Sequence, residues 1–490
     1  QEVMMGSNTQ ESLKTSLPDG HYIAGTWDSG DGEEVFEFFE PCTGTVLGTL
    51  PIGTETDVGR AIDSAHTGFE EWRKLKPNGR EEALRALADQ MESESDRLSE
   101  LEIANTGKPS SAAREEILGA IETIRFFAGY PTKVLGHSIP INEKNTLCYT
   151  VREPLGVIGA ITPWNYPLVI ASGKVGAAMA AGCSVVVKPA PETPLTTLEL
   201  ANLATKVGIP NGVLNVVAGT DKTGSALTRN SNIAKLAFTG SSYTGKKVLS
   251  ELAPILRPAT MELGGKSPNI VFNDIHLEKT VSSVLMAGLY NSGQECCAGA
   301  RVLVHEEIFD QFLDLVPDSI SNISVGPSND PNSQIGPLIS SNQVERVKGF
   351  VERALDEGAQ ILTKGAVPEG GFYFEPTVLV DVNPTMEACR EEIFGPVLTI
   401  DSFSDDDEAL SKANSTPYGL AAGIWTRDIS RAIRFANELE AGQVWINSYL
   451  VGDCSAPFGG GKDSGFGREL GYEGLIEFTQ TKTVFLQGAP

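Results

Sequence analysis

The chain has 490 residues, 41% of them hydrophobic and 21% charged, the balance of an ordinary folded protein rather than a disordered one. That length is too great for a single core, so two or more domains are expected. With 38 Lys+Arg against 64 Asp+Glu the formal charge is −26, a surface that repels phosphate backbones and argues against a nucleic-acid partner.

The excess of acid is compatible with a salty cytoplasm and equally with plain solubility. The 7 cysteines are odd in number and scattered, which speaks against a disulfide framework and for a reducing cytoplasm. The 5 histidines form no metal-ligand pattern, so no metal is expected. Residues 1–20 are polar and carry neither a signal-peptide nor a transit-peptide pattern. No charge-free apolar run reaches membrane-spanning length, so no membrane association is expected.

In chain order, residues 57–72 and 80–104 place apolar side chains at helical spacing, Gly107-Lys108-Pro109 stops the pattern, and 111–129 reads as a further helix. Residues 134–152 alternate loosely and read as a β-ribbon. From about 151 short apolar strands (157–161, 184–187, 213–217, 234–238, 269–272) alternate with helices (168–181, 196–206, 223–229, 245–256). Strand–helix alternation predicts a parallel sheet covered on both faces. A second series follows: helices at 277–290 and 308–320, strands at 301–304, 377–380, 397–402, 421–425 and 443–446. Two α/β domains with a cleft between them are the natural reading. A terminal strand at 481–487 and the ribbon fit neither core, and pairing with another subunit would satisfy their edges.

Four local patterns carry chemistry. In Asn291-Ser292-Gly293-Gln294-Glu295-Cys296-Cys297-Ala298-Gly299, Cys296 is a candidate nucleophile, because a thiol attacks carbonyls readily at neutral pH. In Met261-Glu262-Leu263-Gly264-Gly265, Glu262 stands beside a Gly pair and could activate water. In Thr162-Pro163-Trp164-Asn165-Tyr166-Pro167, an Asn amide follows a strand and could support an oxyanion. Finally Phe238-Thr239-Gly240-Ser241-Ser242-Tyr243-Thr244-Gly245 opens a helix after a strand, suited to a pyrophosphate although it lacks G-x-G-x-x-G, and Lys188 ends a strand upstream. Each alone has a plainer reading: a core cysteine, a solvated or capping glutamate, an aromatic turn, a surface lysine.

Taken together and in this order, the four patterns resemble the aldehyde dehydrogenase superfamily over about residues 25–484. Glu40-Pro41-Cys42-Thr43-Gly44, Glu391-Glu392-Ile393-Phe394-Gly395-Pro396, residues 414–420 and Pro457-Phe458-Gly459-Gly460 extend the likeness. The resemblance implies an α/β fold with a Rossmann-like cofactor domain (1–130 and 152–263), an α/β catalytic domain (264–463), and a β-ribbon oligomerisation segment (131–151 and 478–490) whose final strand pairs across subunits. It implies NAD(P)-dependent oxidation of a small aldehyde to a carboxylic acid, in a cytoplasmic homodimer or homotetramer. Cys296 would be the nucleophile, forming a thiohemiacetal and then a thioester. Asn165 would hold the oxyanion and Glu262 would activate water for deacylation. Cys297 would be a neighbour and not a second nucleophile. CoA-acylating relatives lack the carboxylate of Glu262, so hydrolysis is expected. The implied cofactor contacts are Ile161, Thr162, Trp164, Lys188, Pro191, Gly219, Gly224, Phe238, Gly240, Ser241, Leu263, Glu392 and Phe394. The implied substrate pocket holds Tyr166, Ile170, Gly173, Glu295, Cys297, Gly452 and Phe458.

Three positions depart from the pattern. Many NAD-preferring relatives carry Glu three residues after the Lys, where this chain has Pro191, with Glu192 one place on. NAD is expected, and NADP stays open because Pro cannot repel a 2′-phosphate. The aromatic cage of betaine-aldehyde relatives keeps Tyr166 but has Gly173 and Gly452 at two other walls, which counts against betaine aldehyde and for a bulkier substrate. Glu295 precedes the nucleophile where relatives are commonly apolar or small. Lining the tunnel, it would favour ω-amino or other cationic aldehydes over anionic semialdehydes and push up the Cys296 thiol; pointing to solvent, it would do neither. Other readings are a semialdehyde specialist, a thiol esterase, and a catalytically silent, crystallin-like relative, against which the intact Cys296, Glu262 and Asn165 argue.

Overall fold

The computed structural model describes residues 17–488. Its first sheet runs, edge to edge, Thr26–Asp28, His21–Ile23, Leu214–Val216, Ser184–Lys188, Val157–Ile161, Lys235–Thr239, Ala259–Glu262, Gly465–Phe466. The strands from Leu214–Val216 to Ala259–Glu262 are parallel, and the edges add on antiparallel. Val185, Val186 and Val187 are all buried, as a strand covered on both faces requires. Strand order reverses between Val157–Ile161 and Lys235–Thr239. In open α/β sheets ligands bind at such a reversal, outside the carboxyl ends of the strands. Helix Pro167–Ala181 packs there, and its small residues Ala171, Ala177, Ala178 and Ala180 join the same core as helix Ser110–Ala128.

The second sheet runs Gln360–Lys364, Thr377–Val380, Val397–Phe403, Arg301–His305, Pro268–Val271, Ala421–Trp425, Gln443–Ile446. Only Gln360–Lys364 is antiparallel. The segment that carries Cys296 lies between helix Leu277–Leu289 and strand Arg301–His305, so both ends are anchored in this sheet's core.

The ribbon forms a third, antiparallel sheet of Ser138–Ile139, Thr146–Pro154 and Thr479–Gln487. The last strand starts at Thr479 and pairs along its whole length with its own chain, from Thr479 opposite Pro154 to Gln487 opposite Thr146. Thr146–Pro154 is thereby paired on both sides, and Thr479–Gln487 keeps one edge open.

Residues 80–104 are two helices rather than one. Pro77–Ser93 and Ser95–Thr106 break at Glu94 (φ −107°, ψ 15°), whose carboxylate takes bonds from Gln90 and Arg97, each at 2.9 Å. The break lets Leu84, Leu87 and Met91 share a core with Leu98 and Leu101. Among the elements that escape the sequence pattern are helices Ser341–Asp356 and Ile429–Glu438, the hairpin Val35–Glu40/Thr45–Pro51, which buries Phe36, Phe38, Leu47 and Leu50, and the strand Ala259–Glu262, which carries Glu262 at its end.

Candidate active site

At the strand reversal a groove of about 920 Å³ is lined by Ile161, Lys188, Gly224 and Phe238, together with Thr54 and Asp221. Lys188 ends its strand 5% exposed, and burial pushes its ammonium down to about 8 while Glu192 and Asp221 pull it back up. The hydroxyls of Thr162 and Thr239, at the ends of the two strands flanking the reversal, are buried with no hydrogen-bond partner. Such orphaned donors imply a ligand that completes them. Ser241 caps helix Ser242–Leu252, its Oγ accepting from the Thr244 N–H at 3.2 Å, and Gly240 N–H donates to the Glu262 carbonyl at 3.0 Å. Gly219 has φ +155°, and a Cβ there would sit 2.1 Å from Thr223 Oγ1. Pro191, Gly219, Gly240 and Ser241 flank the groove in sequence without being among its lining residues. Trp164 and Phe394 meet edge to face at 5.2 Å. Glu392 accepts from Gly265 N–H at 3.1 Å, and burial raises its carboxyl to about 7.

A second cavity, of about 1020 Å³, takes Thr239 from the strand that gives Phe238 to the groove. Asn165, Glu262 and Cys296 all line it, as do Leu263 and the seven expected pocket residues Tyr166, Ile170, Gly173, Glu295, Cys297, Gly452 and Phe458. Leu263 lines this cavity beside Cys296. Glu295 faces the cavity, so the solvent-pointing alternative falls. Neither Gly173 nor Gly452 restores an aromatic wall, but Tyr290, Trp425, Trp445 and Tyr449, which sequence reasoning missed, supply others. They come from distant segments, and no local pattern marks them.

The loop that leads into Cys296 is held in an unusual backbone. Asn291 (φ 50°), Ser292 (φ 57°) and Gly293 (φ 68°) are consecutive left-handed residues. Gln294 pins the loop: its Nε2 donates to the Asn291 carbonyl at 3.1 Å and its Oε1 accepts from Ile339 N–H at 2.9 Å. Asn165 Nδ2 donates to the Gln294 carbonyl at 3.1 Å, which sets the amide against the segment that carries Cys296 and leaves its Oδ1 without a partner. Tyr449 O–H donates to the Cys297 carbonyl at 2.9 Å.

Charge is concentrated around the sulfur. A hydrogen bond from Cys297 favours the Cys296 thiolate, but burial and the carboxylates of Glu295, Glu392 and Glu262 outweigh it, so the thiol lies above its ordinary value. Glu262 is 3% exposed and neither carboxylate oxygen has a hydrogen-bond partner. Burial, reinforced by Glu469, holds its carboxyl far above the usual range, against the pull of Lys174 and Arg468. Lys174 is buried and paired with Glu469. At the other end Lys108 pairs with Glu116 and sits 3.9 Å from the Tyr166 ring centroid. Lys174, Lys108, Glu116 and Glu469 were all missed, since nothing local distinguishes them from surface charges.

Two largely parallel sheets, one opening on a groove of about 920 Å³ and the other presenting Cys296 to an adjoining cavity, are the arrangement expected of a nicotinamide-linked dehydrogenase. The profile of the aldehyde dehydrogenase family matches residues 27–484, and the chain belongs to that family. It is 41% identical over 473 residues to a betaine aldehyde dehydrogenase of Vibrio vulnificus, covering 95% of this chain and 97% of that protein. It is 40% identical over 481 residues to an aldehyde dehydrogenase of Aspergillus niger, covering 97% and 96%. Among solved structures, the NAD+ complex of an aldehyde dehydrogenase from Bacillus cereus superposes with a TM-score of 0.95 at 39% identity, covering 97% and 98%. The betaine aldehyde dehydrogenase of Staphylococcus aureus in complex with NAD+ gives 0.96 at 36%, covering 99% and 98%.

Proposed function

We propose that the chain oxidises an aldehyde to a carboxylic acid with NAD, through a thiohemiacetal and then a thioester on Cys296. The observation that carries the reading is Glu262, a buried carboxyl with no hydrogen-bond partner in the same cavity as the thiol. An unpaired buried carboxyl is costly, and a base that must engage a water gives it a use.

Cys296 attacks the carbonyl carbon, and its sulfur forms the new bond. Asn165 Nδ2, already aimed at the nucleophile segment, donates to the developing oxyanion together with the Cys296 N–H. Glu262 then takes a proton from the water that cleaves the thioester and frees the acid. The residues at the strand reversal suit NAD: Lys188 would hold the ribose hydroxyls, the helix start at Ser241 the pyrophosphate and Glu392 the nicotinamide ribose, and the nearby Thr162 and Thr239 hydroxyls would have hydrogen bonds to give. When bound, NAD takes up the hydride that leaves the substrate carbon. A 2′-phosphate would meet the carboxylates of Glu192 and Asp221 that act on Lys188, which favours NAD over NADP even with Pro191 in place of a glutamate. The cavity lining holds five glutamates (Glu115, Glu116, Glu262, Glu295, Glu469) and no basic residue, which disfavours an anionic semialdehyde.

We assign residues 1–130, of which 1–16 lie outside the described residues, and 152–263 to the cofactor domain, 264–463 to the catalytic domain, and the ribbon with the terminal strand to oligomerisation. Leu147, Phe485 and Leu486 on that sheet are 50%, 66% and 59% exposed, apolar surface suited to a second copy in a dimer or tetramer. Seven free cysteines suit a reducing cytoplasm, and among the described residues no helix is long and apolar enough to cross a membrane.

Two variants test the chemistry. Cys296→Ala should abolish NADH formation while NAD still binds. Glu262→Gln should accumulate an acyl-enzyme visible by intact mass, and wild-type turnover in that variant would remove Glu262 from the mechanism.

A further inference from the structure

The surroundings of the sulfur carry an inference that deepens the proposed function and rests on Cys296 being the reactive thiol. A carboxylate oxygen of Glu295 and the sulfurs of Cys296 and Cys297 all lie within 4.8 Å of one another. Cys297 has a single S–H. It donates to Glu295 Oε1 at 3.4 Å, and Cys297 is also the hydrogen-bonding neighbour of the Cys296 sulfur. One proton cannot serve two acceptors fully.

Glu295 is fixed from its other side. Tyr166 O–H donates to it, and beneath the Tyr166 ring lies Lys108, held by Glu116. The groups facing Glu295 are therefore Tyr166, Cys297, Lys108 and Glu116, with Cys296, Tyr290 and Tyr449 around them. Those facing Cys296 are Cys297, Glu295, Glu392 and Glu262. The Tyr449 hydroxyl is engaged by the Cys297 carbonyl at 2.9 Å, which fixes the backbone between the two sulfurs and the second sheet.

We propose that Glu295 and Cys297 form a charge-gated switch on the nucleophile: an ionised Glu295 draws the Cys297 S–H to itself and keeps Cys296 a neutral thiol, and a neutral Glu295 returns that S–H to the Cys296 sulfur and favours the thiolate. No electrons move in the switch, and the Cys296 proton leaves to solvent. Glu295 touches neither substrate carbon nor cofactor in this scheme. It is a positioning residue that acts through Cys297 and through its own field. A substrate with a positive group near its carbonyl would neutralise Glu295 and so ready the thiol that attacks it.

The test is the pH dependence of Cys296 alkylation by iodoacetamide in the full-length protein, localised by peptide fragmentation. Wild type is compared with Glu295→Gln, Glu295→Asp, Cys297→Ala and the Glu295→Gln/Cys297→Ala double variant. A unit charge within 4.8 Å shifts a thiol by about 0.6 unit at the dielectric constant of water and about 2.5 units at an effective value near 20. Glu295→Gln should lower the alkylation midpoint by an amount in that interval, and Glu295→Asp, which keeps the charge, should leave it near wild type. Cys297→Ala should raise the midpoint more in the Glu295→Gln background than in wild type, where its S–H is already engaged. A midpoint that stays or rises in Glu295→Gln overturns the switch, as does a Cys297→Ala effect equal in both backgrounds. If alkylating Cys296 leaves aldehyde oxidation intact, the proposed function itself fails, whatever the midpoints do.

Discussion

Gly293 offers the sharpest structural test. It sits at φ +68°, and a Cβ added there would lie 2.1 Å from the Gly395 carbonyl oxygen and 2.4 Å from its carbon. Both are backbone atoms of the turn that carries Glu392 and Phe394, so no flexible side chain can yield. Restoring ordinary contact requires a retreat of about 1 Å by one of the two loops. For Gly293→Ala the left-handed backbone costs about 1–2 kcal/mol and the overlap about 1–3 more, a loss of roughly 2–5 kcal/mol in stability. Misplacing a reacting group by about 1 Å costs on the order of 100-fold in turnover. Steady-state kcat at saturating aldehyde and NAD reads the second effect, and thermal unfolding the first. A variant with kcat within about threefold of wild type and an unchanged Tm would show that the loop tolerates displacement, and the reasoning from its backbone would fail.

Lys188 holds an ammonium pushed down to about 8, so the charge is lost as pH rises through that value. The KM for NAD should climb between pH 7 and 9, and Lys188→Met should raise it about tenfold at pH 7 and flatten the climb; an unaltered pH dependence would place Lys188 outside the cofactor site. The Glu392 carboxyl is raised to about 7 from 4.5 in the folded state, so the fold binds this proton more tightly than the unfolded chain does. Its contribution is complete below pH 4.5 and lost by about 7, at most roughly 3 kcal/mol, and Glu392→Gln should remove that decline from urea-unfolding curves. Leu147→Asp with Phe485→Asp should yield monomers in light scattering, and an unchanged mass would move the interface elsewhere.

The period of apolar residues was enough to read both parallel sheets, because a strand buried on both faces is a continuous Val/Ile/Leu run and the covering helices repeat at 3.6. It failed where length or sequence distance mattered. The strand Ala259–Glu262 is four residues long, and its Glu262 read by itself as a solvated or capping residue. The partner of Thr479–Gln487 lies more than 300 positions away, and no local signal says that it is the chain's own ribbon. The division at Glu94 is a tertiary choice, since residues 80–104 are helical in pattern throughout.

The site divides along the same line. Cys296, Glu262 and Asn165 stand in distinctive local patterns, and all three line one cavity. What makes that cavity reactive is written in no short segment. Lys174 and Glu469 are 295 positions apart, Lys108 acts on Glu295 through an aromatic ring, and Trp445 and Tyr449 enter from the far sheet. These groups share a trait that a sequence pattern cannot register: each breaks a rule that local stability obeys. Glu262 is buried without a partner, Asn291 and Ser292 adopt left-handed backbone, and several carboxylates crowd a sulfur whose ionisation they oppose. A fold retains such costs only where the surrounding structure holds them and chemistry uses them. A lens-type relative kept only for its stability would gain by relaxing all three, and their joint presence beside a strand reversal with unsatisfied Thr162 and Thr239 hydroxyls argues for an enzyme still doing its reaction.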